Sequence, residues 1–182
     1  MGVTDGIGPL PNSGIISTVF TRAAEFDRAA AAEFDCGLLE PLAGLVVAHR
    51  RMAAARPEWD DVVLSADPAN RVAVLAETSP DGDAFTCAWD SIQRHMLSVD
   101  LEARRILAPP PPHAVPHHEG LGAVFGRMAH LYTISHDRFV LDGPRGRHRQ
   151  QLARAFAAYE ALARDLVAGR TRLPALSDRP AS

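Results

Sequence analysis

Eight histidines stand in a chain of 182 residues that contains no lysine, all 19 of its basic residues being arginine. Three of the histidines fall inside apolar helical stripes. His49 comes seven residues after Leu42 and three before Met52, His95 follows Ile92 by three, and His130 stands four beyond Gly126, itself four beyond Gly122. Three helices that each present an inward imidazole are what a bundle uses to hold iron, haem or zinc. A face made of Gly122, Gly126 and His130 lets a flat cofactor, or another helix, come close to the backbone. The plainer reading of the same residues is three hydrogen-bonded core histidines and a glycine packing contact. No glutamate precedes a histidine by three residues, so the carboxylate-bridged di-iron signature is absent.

Arg145, Arg147 and Arg149 crowd the start of the last helical stretch, with His148 among them. Cations are unfavourable at a helix N-terminus, where unpaired backbone donors already carry positive partial charge. Either Asp142 compensates or an anionic ligand does, a phosphate or a carboxylate.

The stretch PPPPHAVPHHEG, residues 109–120, carries His113, His117 and His118. His113 and His117 have the spacing of a helical metal pair, but the surrounding prolines forbid the helix that gives the spacing its meaning. The segment reads as a stiff connector whose Glu119 charge suits the start of the next helix. As a metal strap it needs a further ligand from another element.

The missing lysine excludes a good deal of chemistry. Pyridoxal phosphate held on a lysine, Schiff-base catalysis and a P-loop nucleotide site all require it. GxSxG, HExxH, EF-hand and CxxC patterns are also absent. GLGAVFG, residues 120–126, approximates a dinucleotide-binding glycine pattern, but prolines and histidines precede it where a strand is needed. His136-Asp137 resembles the dyad of HD-type phosphohydrolases, which His113 or His117 and Asp165 would complete. The following RFVLDGPRG departs from that family's continuation, and the family is not assigned.

The elements that must position these side chains read as helix after helix. Val19, Ala23, Phe26, Ala30, Phe34 and Leu38 draw one stripe, which Gly37 can close, and Leu42, Leu45, Val46, His49 and Met52 draw a second. A short helix at 57–66 and another from Pro68 are expected next. Phe85, Trp89, Ile92, Met96 and Val99 step by four, three, four and three, a helix over about 84–99 that extends through DLEARRIL. Leu121, Val124, Phe125, Met128 and Leu131 mark a further helix, and Leu152 to Leu166 the last, ended by Gly169. The expected fold is an all-α, single-domain bundle of about six to eight helices. The alternative is an α+β fold with a central hairpin around 61–78.

The domain spans 15–169, with the connector at 108–118 and flexible tails at 1–14 and 170–182. With 47% hydrophobic and 23% charged residues the chain can bury a core, and a net charge of -3 gives no pull toward nucleic acid. Cys36 and Cys87 are far apart, which fits a reducing cytoplasm, and neither a leader nor a membrane span is visible. The expected function is a small cytoplasmic enzyme doing His-ligated, metal- or haem-dependent oxidative chemistry on a small acidic substrate. The alternative is a non-catalytic module that binds an acidic small molecule or a partner protein. The oligomeric state is left open.

Overall fold

A computed structural model of the chain describes residues 8–26, 37–54, 82–137 and 146–175. Five helices occur among them: α1 (Ser13–Phe26), α2 (Leu39–Ala54), α3 (Gly82–Ile106), α4 (Leu121–Asp137) and α5 (Arg147–Val167). Two short strands, β1 (Val115–Pro116) and β2 (Thr171–Arg172), complete the set. The all-α class is thus observed, with fewer helices described than the six to eight expected. The helices expected at 57–66 and from Pro68, and the alternative hairpin, lie outside the described residues.

Asn12 starts α1, its side-chain oxygen accepting from the Ile15 amide at 2.9 Å. Ile16, Val19, Phe20, Ala23 and Ala24 then follow one another at helical spacing and are all buried. Helix α2 is the centre of the bundle, since its run from Pro41 to His49 is buried without interruption. A helix buried on every side needs neighbours on every side, and α1, α3 and α4 all pack against it. Helix α5 closes the bundle against α4 through Tyr159, Leu162, Ala163 and Leu166.

Helix α3 runs the full length expected of DLEARRIL, but its inner face is set by Ala88, Ile92, Val99 and Ala103. Trp89, placed on that face by its spacing, is instead 48% exposed. Ala88, the residue before it, takes the inward position.

Aromatic side chains join the two ends of the chain. Tyr159 is fully buried, packs at a tilt against Phe125 with ring centroids 4.8 Å apart, and donates its hydroxyl proton to the Pro11 carbonyl at 2.7 Å. Leu10 and Leu173 are also buried. These two leucines, inside the expected tails, are packed against the helices, and each contributes roughly 2 kcal/mol.

The connector returns to the end of α5 as a strand. β1 pairs in parallel with β2, Val115 donating to the Arg170 carbonyl and His117 to that of Arg172 at 2.8 Å. Pro116 falls between the two donors, where a missing N–H costs nothing. Gly169 makes the turn before β2 at φ +69°, and a β-carbon there would stand 3.1 Å from the Pro111 ring.

Candidate functional site

The three helical histidines do not converge. His49 of α2 and His130 of α4 are adjacent, with ring centroids 5.4 Å apart. His95 of α3 lies over Gly44 instead, so closely that a β-carbon on Gly44 would be 2.3 Å from its Cε1. Gly44 and His49 are five residues apart on α2, which separates them by about 140° around the helix axis. Among the described residues, a triplet of donor side chains with ligand atoms within 4.8 Å of one another occurs at His117, His118 and Glu119, and not at His49, His95 and His130.

His49 is 7% exposed, and neither of its ring nitrogens has a hydrogen-bond partner of normal geometry. Burial, followed by the charge of His130, pushes its pKa down to about 4, while a weaker polar contact with the Gly126 backbone opposes them. The ring is therefore neutral at physiological pH.

The glycine face is filled by protein. The side-chain direction of Gly122 points into the Met96 carbonyl, 2.1 Å from where a β-carbon would be, and that of Gly126 meets the Met96 sulfur. Met96 of α3 stands against both glycines. Glycine here serves the α3–α4 contact.

His95 lines a polar cleft of about 370 Å³ with Glu40, Ser91, Arg94, Ser98 and Glu102. Burial and then Arg94 hold its pKa below the ordinary histidine value, and Glu40 opposes them. The His95 imidazole shares this cleft with two carboxylates and two hydroxyls.

The arginines divide. Arg145 lies outside the described residues, while Arg147 and Arg149 are exposed in the first turn of α5. The cap of that helix, Gly146, has no side-chain acceptor to offer. Glu119 does not cap α4 as its sequence position suggests. It forms a two-pronged ion pair with Arg127, eight residues further on, and the capping oxygen comes from Asp100 of α3, which accepts from the Gly122 amide at 2.8 Å. Of the HD-like set, His136 is exposed at the end of α4 against Tyr132, and Asp165 is bound to Arg170.

A second cavity, of about 200 Å³, opens between the end of α3, the connector and β2. Leu107, Leu166 and Leu173 give it apolar walls, and Arg104, Thr171 and Arg172 give it polar ones. One terminal nitrogen of Arg104 donates to the Pro174 carbonyl, but its Nε is buried and has no acceptor. Sequence spacing could place Arg104 beside Ala103 at the end of α3. It could not bring Arg172 across from it, because the β1–β2 pairing that does so is only two residues long.

Against protein-family models, curated proteins and solved structures, the chain has no match.

Proposed function

We propose that this chain is a helical binding module for a small carboxylic acid with an apolar body, held in the cavity between α3, the connector and β2. The observation that carries this reading is a wall of the cavity lined by two arginines, Arg104 and Arg172, together with Thr171. Guanidinium groups recognise a carboxylate through charge-assisted, often two-pronged hydrogen bonds. The leucines at 107, 166 and 173 ask for hydrocarbon on the rest of the ligand. A cavity of about 150 Å³ takes one benzene, so the 200 Å³ here fits a short chain or a single ring and is far too small for haem.

Hexanoate and hexanol, equal in chain length and different in charge, test the reading by thermal shift. Hexanoate raises Tm in proportion to the logarithm of its concentration, hexanol raises it much less, and Arg172→Gln and Arg104→Gln remove the difference. Equal shifts from the two compounds, or a hexanoate shift that survives both substitutions, would refute it.

The reading as an oxidative enzyme dependent on iron, haem or zinc rests on a separate observation, the unpartnered ring nitrogens of His49 beside His130. A neutral, buried imidazole with a second one beside it is suited to ligating a metal. A visible spectrum with elemental analysis of protein expressed with iron and a haem precursor tests it, and colourless, metal-free protein would end it. Under either reading a cytoplasmic setting suits Cys87, which is free and exposed. No helix among the described residues is long and apolar enough to cross a membrane.

A further inference from the structure

The proline connector ends on three adjacent donor side chains. One imidazole nitrogen from each of His117 and His118 and one carboxylate oxygen of Glu119 lie within 4.8 Å of one another. The two rings are 4.3 Å apart between centroids, and Nε2 of His118 is 3.3 Å from Oε1 of Glu119. We propose that His117, His118 and Glu119 form a surface site for a divalent transition-metal ion of the zinc class, with its remaining coordination positions open to solvent.

Consecutive residues share a site here because the backbone bends between the strand and the helix. His117 is fixed by its amide bond to the Arg172 carbonyl, the chain bends at 118–119, and α4 begins at Leu121. Holding the donors together before the ion arrives reduces the ordering cost of binding. Ligand atoms around zinc stand about 3.3 Å apart, from bonds near 2.0–2.1 Å in tetrahedral geometry. Nε2 of His118 and Oε1 of Glu119 already stand at that spacing, and His118 is exposed, with room to turn.

The chemistry of the donors narrows the ion. Two imidazoles and one carboxylate suit zinc, cobalt and nickel, whereas magnesium and calcium require oxygen ligands throughout. The Nδ1 of His117 lies 2.9 Å from the Glu119 carbonyl, the kind of outer contact that orients a metal-binding imidazole and leaves its other nitrogen basic. Glu119 meanwhile forms a two-pronged ion pair with Arg127. Arg127 is also the cation that the metal must share or displace. The Glu119 oxygen nearest His118 already accepts from Arg127 at 2.6 Å.

Zinc titrated into the full chain by calorimetry tests the proposal, with cobalt as a visible probe of coordination. One ion binds per chain, magnesium does not compete, and His117→Ala and His118→Ala each weaken binding at least tenfold. Arg127→Gln tightens it, because Glu119 then meets no competing cation. All four side chains are at or near the surface, and unchanged circular dichroism verifies that the variants fold. His49→Leu leaves the affinity as it was. Zinc binding that survives the double histidine variant, or that is lost with His49→Leu, would place the ion elsewhere and overturn the proposal, as would weaker binding to Arg127→Gln.

Discussion

The carboxylate of Asp100 accepts a hydrogen bond from the amide of Gly122 at 2.8 Å, so a side chain of α3 supplies the acceptor that the first turn of α4 needs. Asp100 is only 4% exposed, and Gly120 passes so close that a β-carbon there would touch both its oxygens. The negative charge sits at the positive end of α4, a partly buried geometry in which such a charge contributes up to about 2 kcal/mol. Asp100→Ala should therefore lower stability by about 2–3 kcal/mol, and Asp100→Asn, which keeps an acceptor, by about half as much. Urea unfolding monitored by circular dichroism measures both. Equal losses would mean that the charge contributes nothing.

The two glycines of α4 should respond very differently to alanine. At Gly122 the new carbon would stand 2.1 Å from the Met96 carbonyl, a backbone atom that can move only with its helix. Gly122→Ala should cost about 3 kcal/mol or more, as overpacking against backbone does. At Gly126 the nearest atom is the flexible Met96 sulfur at 3.1 Å, and alanine gains up to about 1 kcal/mol in helix propensity. Gly126→Ala should be close to neutral. Thermal melts of the two variants decide whether α3 packs where it does.

The bundle was legible in the sequence because helical spacing encodes which face is buried. Helix α2, the full length of α3 and the stop at Gly169 all follow from it. Relations between elements were not legible. His49, His95 and His130 each lie on an apolar stripe, but a stripe gives the direction of a side chain relative to its own helix and nothing about the neighbour's rotation. His95 consequently meets Gly44 rather than the other two imidazoles. Glu119 and Asp100 show the same limit. The local rule assigns the cap to the nearest acid in sequence, while the bond is made by an acid 22 residues away that the fold brings closer.

Gly44 and His95 form a pair whose coupling can be measured. Alanine at 44 would overlap the imidazole at three of its atoms, so Gly44→Ala must push the ring toward the cleft that His95 lines. The substitution alone should destabilise by about 1–3 kcal/mol. In the double variant with His95→Ala, most of that loss should return, an interaction energy between the two positions. Additive losses would mean that the ring does not rest on Gly44.

Acid stability should report on His49. A histidine held below its ordinary value takes up its proton in the unfolded chain before it does so in the folded one. For His49 the unfolded chain gains the proton near pH 6.5 and the folded chain only near pH 4. Stability therefore falls as pH drops through that window and does not depend on His49 above it. The separation bounds the loss at roughly 3 kcal/mol, at about 1.4 kcal/mol for each pH unit. Because His49 is buried, little solvent screening reduces this figure. His49→Leu keeps an apolar side chain in the core and removes the titration, so its urea midpoint should change less between about pH 7 and about pH 4.5 than that of the parent. A metal bound to the neutral ring would steepen the parent's dependence, since acid would then also release the ion, and a chelator would restore the shallower slope. Parallel curves for parent and variant, with chelator present, would show that His49 ionises alike in the folded and unfolded chains and that burial does not hold it neutral.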